Sequence, residues 1–448
     1  MATERIERVI AFVKETAESF GAKPDSYVFR KNVEGDALQD GGGYFGLIQP
    51  EEEPSGPYHD FSLTVNPRLD DKPWYVNICV GLSGFKNDYE LATRPGLRRL
   101  FSRLVNDDGF CKSDFSDIDT ALPKSLTQRD DLQHFKNTFK KYSSVYTAFQ
   151  IIRDPDDESG KRMIRAFIAG YAKLRDWPSN RGHREAVSAA LKPFQSNHDD
   201  DSPDAIKALV EQRHFVVLQG PPGTGKTRAA KKVAEEMQAT VFFTQFHAET
   251  SFADFVYGIR PDVHSDELSY RGNDGILTEV VKFAKENQDT KTVLIIDEIN
   301  RANLSNVLGP VFYLFEPKME ETTVEIEVSP GLKIDRLPNN FFVIATMNTA
   351  DRSLAVVDFA LRRRFAWYSL RPTPIQTTEF FREDFDRFHS IFEWYATSEE
   401  LLLQPGHGYF LASSNNEMEN RVRYVLFPLI KDYLQVGLLR FALVDFID

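Results

Sequence analysis

The sequence predicts an α/β fold: a parallel sheet with helices on both faces, followed by a small helical lid and preceded by an α+β domain. From Asp204 onward, short apolar runs alternate with segments of helical character, and this alternation is typical of a parallel sheet. At 448 residues the chain has room for about three domains. The predicted strands lie at 214–218, 240–244, 293–296 and 341–345, with a predicted helix at 227–236.

Composition excludes several classes of protein. With 42% apolar residues, among them 36 Phe and 16 Tyr, the chain contains enough apolar side chains for sizeable cores and is not a disordered protein. A net charge of −13 argues against a surface that is positively charged throughout and binds nucleic acid, although it is compatible with a local basic patch. The two cysteines, Cys79 and Cys111, have neither zinc-like spacing nor a disulfide framework, which favours a reducing compartment. No secretory signal and no apolar run near the ~18 residues of a membrane helix is visible, so we expect a cytoplasmic protein with no membrane segment.

We predict four parts along the chain. Residues 1–124 form an α+β recognition domain, with strands at 61–65 and 74–80 and a helix at 95–105 that Pro95 begins. Residues 125–202 form a spacer that is mainly helical as far as residue 196 and ends in the acidic linker 196–203. The remaining two parts are a large nucleotide-binding subdomain at 203–370 and a lid at 371–448.

The most specific motif follows the first strand of the alternating region. Gly220-Pro-Pro-Gly-Thr-Gly-Lys-Thr227 matches the P-loop pattern and stands between a predicted strand and a predicted helix. The glycines let backbone N–H groups surround a phosphate, Lys226 places a positive charge on the β- and γ-phosphate oxygens, and Thr227 binds Mg²⁺. The predicted nucleotide-binding residues of this loop are Gly220, Pro221, Pro222, Gly223, Thr224, Gly225, Lys226 and Thr227.

Two acidic residues follow the apolar run 293–296. Asp297 stands where a carboxylate would hold Mg²⁺ and so completes the nucleotide site, and Glu298 can orient and polarise the attacking water. An apolar run followed by Asp-Glu is common by itself. Downstream of a P-loop it favours the catalytic interpretation.

Polar residues also follow the strand predicted at 341–345. The amide of Asn348 is placed to contact the γ-phosphate or the attacking water, whereas Asp351 and Ser353 are the better candidates for shaping a turn or a helix cap. The run Arg362-Arg363-Arg364 points its side chains in three directions, so some of them are solvated or structural. In a ring of subunits, one or two of them would reach a neighbour's γ-phosphate.

Taken together, these segments resemble the McrB-type AAA+ GTPases, the motor subunits of modification-dependent restriction systems. The resemblance covers roughly residues 204–436 and rests on several motifs of this sequence. These are Met347-Asn-Thr-Ala-Asp-Arg-Ser353, Ala360-Leu-Arg-Arg-Arg-Phe365, Asp297-Glu-Ile-Asn-Arg-Ala-Asn303 and Gly406-His-Gly-Tyr-Phe410.

The resemblance implies GTP rather than ATP, a hexameric ring and a McrC-like nuclease partner that contacts the loop containing Asp351 and Arg352. It implies that Arg363 and Arg364 act on the neighbouring subunit, with Arg301 a further candidate, and that the N-terminal domain reads modified DNA. GTP rests on this resemblance alone, because a P-loop contacts only phosphates. The segment between Phe365 and Gly406 is short for the family, which leaves the guanine contacts open.

Several alternatives remain at this point. The aromatic side chains of the N-terminal part form a pocket for a base or, more commonly for such a set, belong to a core; they are Tyr44, Phe45, Trp74, Tyr75, Phe85 and Tyr89. The arginines near residues 95–105 form a phosphate-binding stripe or a solvated helix face; they are Arg94, Arg98, Arg99 and Arg103. The rival functions are a MoxR-like ATPase that remodels a protein partner and a scaffold that binds nucleotide but barely hydrolyses it.

Overall fold

The computed structural model describes most of the chain in two compact units. The first comprises Met1–Asn197 with Trp394–Thr397, and the second His198–Glu393 with Ser398–Asp448. Within them the structure describes residues 2–39, 42–48, 61–69, 72–80, 94–113, 122–129, 146–194, 203–262, 269–316, 325–351 and 359–439.

The first unit contains an antiparallel sheet of six strands in the order β1-β2-β3-β4-β6-β5. The strands are β1 Val28–Asn32, β2 Tyr44–Ile48, β3 Phe61–Asn66, β4 Trp74–Val80, β5 Gly109–Cys111 and β6 Tyr146–Ile152. The helices are α1 Ala2–Ser19, α2 Asp36–Gln39, α3 Pro95–Leu104, α4 Lys124–Thr127, α5 Glu158–Leu174 and α6 Arg181–Leu191, with a 3₁₀ turn at Lys192–Phe194. The predicted strands at 61–65 and 74–80 and the predicted helix at 95–105 are confirmed.

Residues 125–196 are mainly helical where the structure describes them, as predicted, but β6 is a strand that the prediction did not include. Tyr146–Ile152 pairs antiparallel with β4 on one side and with β5 on the other. Its sequence, YTAFQII, is rich in β-branched and aromatic residues, which fit a pleated surface better than a helix. The strand is therefore part of the N-terminal sheet, and the division into a recognition domain and a helical spacer stays a prediction.

Aromatic side chains of the first unit lie in its core. Tyr44, Phe45, Trp74 and Tyr75 are all buried, and Phe45 and Trp74 belong to the cluster between the sheet and its helices. For these four the core interpretation is confirmed, while Phe85 and Tyr89 lie outside the described residues.

Two of the arginines that suggested a phosphate-binding stripe contact backbone carbonyls. The Arg98 side chain donates to the carbonyl of Lys112, and the Arg99 side chain donates to that of Ala396. Arg103 is exposed, and the Arg94 guanidinium lies 4.4 Å from the Tyr395 ring.

The second unit contains a parallel sheet of five strands in the order β15-β7-β14-β11-β8. Those strands are β7 Phe215–Gly220, β8 Thr240–Gln245, β11 Thr292–Asp297, β14 Phe341–Asn348 and β15 Ala366–Ser369. Two hairpins accompany it, β9 Tyr257–Pro261 with β10 Tyr270–Asp274, and β12 Ile326–Ser329 with β13 Leu332–Ile334. All four predicted strands and the predicted α/β fold class are confirmed.

Helices cover both faces of this sheet because its central strands are apolar on both sides. Val293 and Ile295 of β11 pack with α7 and α8, whereas Leu294 and Ile296 pack with α10 on the other face. The helices of the large part are α7 Pro203–Arg213, α8 Lys226–Glu236, α9 Phe252–Phe255, α10 Ile276–Glu286, α11 Leu304–Leu308 and α12 Phe359–Arg364. Two 3₁₀ segments, Ile299–Arg301 and Gly309–Phe315, lie among them.

A small helical part follows β15. It comprises α13 Arg382–Tyr395, α14 Asn415–Arg421 and α15 Phe427–Gln435, with 3₁₀ turns at Glu400–Leu403 and His407–Phe410 and a π-helical turn at Val422–Leu426. Phe385, Phe388 and Phe410 form an aromatic cluster at its centre. Across the described ranges, no helix combines the length and apolar character needed to cross a membrane.

Candidate functional site

The P-loop connects β7 to α8, as the sequence predicts. Gly223 and Gly225 adopt φ angles of +79° and +75°, a left-handed conformation that glycine adopts without strain. Gly225 is the N-cap of α8, so the first N–H groups of this helix face the loop. A helix N-terminus next to such a loop is a binding site for anions.

Lys226 is buried and hydrogen-bonded to the loop itself. Its Nζ donates to the carbonyl oxygens of Gly220 at 3.0 Å and Pro221 at 2.8 Å. Burial lowers the pKa of Lys226, while the carboxylates of Glu298, Asp297 and Asp351 act in the opposite direction. The ammonium group therefore lies at the anion site, with two carbonyl groups as partners that a phosphate can replace.

Asp297 is the centre of a short hydrogen-bond network at the carboxyl ends of the strands. Its Oδ1 accepts from the Thr227 hydroxyl at 2.6 Å and from the Thr346 hydroxyl at 2.7 Å. The backbone N–H of Glu298 donates to the same Thr346 hydroxyl at 3.0 Å. Thr346 was not predicted as a site residue. Its position at the end of β14, the strand next to β11, is the sequence signal that points to it.

Thr227 and Asp297 offer the oxygen ligands that Mg²⁺ prefers. One hydroxyl and one carboxylate lie close together beside the anion site, and Mg²⁺ in nucleotide sites is typically held by one or two protein oxygens together with phosphates and water. Within the part of the chain that the structure describes, no group of three or more His, Cys, Asp or Glu side chains could hold a metal. The residues present fit a Mg²⁺ ion that arrives with a nucleotide.

Glu298 is held in an unusual backbone conformation at φ +55°, which is uncommon for a residue with a side chain. Burial raises the pKa of the Glu298 carboxyl, and Arg301, whose Nε lies 3.5 Å from Oε2, lowers it. Among the described residues, the buried Oε2 has no hydrogen bond. A half-buried carboxylate with a raised pKa is suited to accept a proton from water.

Asn348 lies beside the P-loop and also shapes the turn after β14. Its partner in the parallel register is Gly220, and its Oδ1 accepts from the N–H of Ala350 at 3.1 Å. Asp351 lies 3.5 Å from the Arg301 guanidinium, which links this turn to Glu298. Arg352 and Ser353 lie outside the described residues.

Of the three consecutive arginines, Arg362 and Arg363 are exposed and Arg364 is buried. Arg363 is 65% exposed at its side chain, whereas Arg364 is only 8% exposed, and both pair with Glu316. The Arg364 guanidinium also lies 4.1 Å from the centre of the Phe312 ring. The prediction that both act on a neighbouring subunit remains untested, although in this chain Arg364 is part of the interior.

A segment of the lid lies directly on the P-loop. The N–H groups of Gly406 and Gly408 donate to the carbonyl oxygens of Pro222 and Gly223, at 2.9 and 2.8 Å. The sequence placed Gly406–Phe410 in the lid but did not predict this contact, because nothing in the local pattern specifies the partner of a glycine-rich turn.

Known proteins resemble the part of the chain that contains this site. Residues 215–365 match the family model of the AAA domain, dynein-related subfamily. The chain is 43% identical over 176 residues to the type IV methyl-directed restriction enzyme EcoKMcrB subunit of Escherichia coli (strain K12), covering 37% of this chain and 37% of that protein. It is 27% identical over 189 residues to the type II restriction enzyme BsuMI component YdiS of Bacillus subtilis (strain 168), covering 34% and 55%. The match therefore spans about a third and about half of the lengths of these relatives.

Proposed function

Because the chain carries an AAA+ domain of the McrB type, we propose that it is a nucleoside-triphosphate-hydrolysing motor subunit of a restriction system. The observation that carries the proposal is the network around Asp297. It brings the hydroxyl of Thr227, one residue after the P-loop lysine, into hydrogen-bond contact with the carboxylate that directly precedes Glu298. The phosphate-binding loop and the carboxylate proposed to activate water thus lie next to each other at one edge of the sheet.

Each side chain has a role that follows from its chemistry. Lys226 leaves the carbonyls of Gly220 and Pro221 and binds the β- and γ-phosphate oxygens. Thr227 and Asp297 hold Mg²⁺, which neutralises charge on the phosphates when it is bound. Glu298 orients the attacking water and accepts its proton, and Asn348 holds that water or the γ-phosphate.

Hydrolysis is completed in a ring of identical subunits, with a hexamer as the expected assembly. Of the two proposed arginines at the end of α12, Arg363 is exposed and Arg364 is buried, so Arg363 is the better candidate to reach the neighbour's γ-phosphate. Arg364 supports it from the interior through their shared partner Glu316. Asp351 and Arg352 belong to the loop proposed to meet the partner subunit.

The proposed nucleotide is GTP, with ATP as the alternative, and the proposed partner is a McrC-like nuclease. Two observations support a multi-subunit restriction enzyme: the Escherichia coli relative is named as a subunit and the Bacillus subtilis relative as a component of such enzymes. In this proposal residues 1–124 bind DNA, including modified DNA, and the motor drives the DNA to the nuclease.

A nucleotide panel with three variants tests the proposal. Lys226→Ala should abolish binding of GTP and ATP, and Glu298→Gln should retain binding while turnover falls by a factor of about 10² to 10⁴. Lys232→Ala is the matched control, because Lys232 lies on the same helix, is exposed and, among the residues that the structure describes, forms an ion pair with Glu236 alone, at 3.8 Å. Unchanged nucleotide binding by Lys226→Ala would refute the proposal. A strong preference for ATP would favour the MoxR-like alternative, and turnover that Glu298→Gln leaves intact would favour the scaffold.

A further inference from the structure

The lid turn Gly406–Phe410 is fixed on the P-loop by its backbone. The two hydrogen bonds from Gly406 and Gly408 to the carbonyls of Pro222 and Gly223 engage the middle of the loop. A hydrogen bond between backbone groups depends on no particular side chain, so this contact positions the turn whatever residue stands between the two glycines.

Close packing removes the remaining freedom of the turn. A Cβ atom added to Gly406 would overlap the backbone of Gly223 and Thr224, so no larger residue fits there without displacement. A Cβ atom on Gly223 would lie 2.7 Å from the ring of Tyr409, so the ring covers that glycine closely. His407, which stands between these contacts, therefore has a defined place over the loop.

The imidazole of His407 lies where the P-loop meets α8. Its Nε2 is 3.5 Å from the position that a Cβ atom would occupy on Gly225, the N-cap of that helix. Its Nδ1 is buried and, within the described residues, has no hydrogen-bond partner. Burial lowers the pKa of His407, and the nearby Arg228 lowers it further, while the backbone of Thr373 raises it.

These surroundings fit an anion. The N-terminus of α8 brings N–H donors close to the His407 imidazole, and Arg228 brings positive charge to it. A phosphate oxygen accepts a hydrogen bond from a neutral imidazole N–H as well as from a protonated one.

We propose that His407 is a nucleotide-binding residue that contacts the α- or β-phosphate of the bound nucleotide, so that the lid recognises the diphosphate directly. This inference rests on the proposed function, since it requires a nucleotide in the P-loop. His407 would then be a phosphate-binding residue of the lid, outside the P-loop motif.

Binding measurements with GTP, ATP and GDP test this role. His407→Ala should weaken the binding of all three by a similar factor, about tenfold or more, because the contact involves neither the base nor the γ-phosphate. His407→Gln, which retains an N–H donor, should recover part of the lost affinity. His389→Gln is the control: this histidine lies in the same lid, bonds to Gln404 at 3.0 Å and stacks on Phe385, so its loss should leave affinity unchanged.

Thermal unfolding of each variant without nucleotide separates lost binding from lost folding. Full affinity of a folded His407→Ala variant for all three nucleotides would overturn the inference. A loss confined to GTP and ATP would place His407 at the γ-phosphate, and a loss confined to GTP and GDP would place it at the base. Either result also overturns it. If Lys226→Ala still abolishes binding in the same experiment, the proposed function stands without this inference.

Discussion

Replacing Arg364 with alanine should destabilise the second unit rather than act only on hydrolysis. The side chain is 8% exposed, forms an ion pair with Glu316 and lies over the ring of Phe312. A residue held in this way cannot reach a neighbouring subunit without breaking both contacts.

The expected loss of stability depends on how Glu316 is paired once the Arg364 side chain is removed. Removing one partner of a buried ion pair costs about 3–5 kcal/mol, mostly because the other charge stays buried. Glu316 is 27% exposed and keeps Arg363 as a partner, so we expect the lower end of that range, about 3 kcal/mol. For a unit of this size, each kcal/mol lowers Tm by about 2–4 °C, which gives a decrease of roughly 6–12 °C.

Thermal unfolding without nucleotide measures this effect, and Arg363→Ala provides the control. Arg363 is 65% exposed, so its ion pair should contribute only about 0–1 kcal/mol and its loss should leave Tm nearly unchanged. If Arg363 acts on the neighbour, the same variant should lose a factor of about 10³ or more in kcat. A normal Tm for Arg364→Ala together with lost hydrolysis would show that Arg364 is free to act between subunits, and the structural interpretation would be wrong.

Three other variants test the site. Burial raises the pKa of Glu298 in the nucleotide-free protein, so as pH falls its carboxylate form is lost at a higher pH than for an ordinary glutamate. A pH profile of kcat/KM should therefore show an acid limb above the usual range that Glu298→Gln removes. Thr346→Val removes the donor to Asp297 and the acceptor of the Glu298 N–H, so kcat should fall roughly tenfold, and unchanged turnover would exclude a role for this hydroxyl. Gly406→Ala should displace the lid turn from Gly223 and weaken nucleotide binding, which a titration measures; wild-type affinity would contradict the close packing.

The parallel sheet could be predicted because its three central strands, β7, β14 and β11, are mostly buried. Each of the runs that predicted β7, β8, β11 and β14 consists largely of apolar or β-branched residues, a pattern that also fixes strand ends to within a few residues. The strand β6 was missed because it pairs with segments distant in the chain. Its local sequence lacks the Gly and Pro residues that separated the other N-terminal strands, and it was therefore assigned to a helical stretch.

The burial of Arg364 could not be predicted, for a different reason. Three consecutive arginines carry the same charge, and only the position of Glu316 and Phe312, about 50 residues earlier in the chain, decides which of them points inward. The sequence shows that the run of arginines is a candidate functional segment, whereas only the fold shows which of its side chains is buried and which is exposed. Arg363 and Arg364 thus share one carboxylate but differ in exposure, which is the property that decides access to a neighbour.

The P-loop and the two acidic residues were predictable because a parallel sheet brings the carboxyl ends of its strands to one edge. Thr346 belongs to the same edge by its register, since β14 lies between β7 and β11. No comparable rule predicts the contact between the lid and the P-loop. That contact requires glycine at both 223 and 406, because the two backbones pack closely although the residues are more than 180 positions apart in the sequence. A glycine pair of this kind becomes meaningful only when the two backbones are seen in contact, and it is this contact that places His407 at the nucleotide.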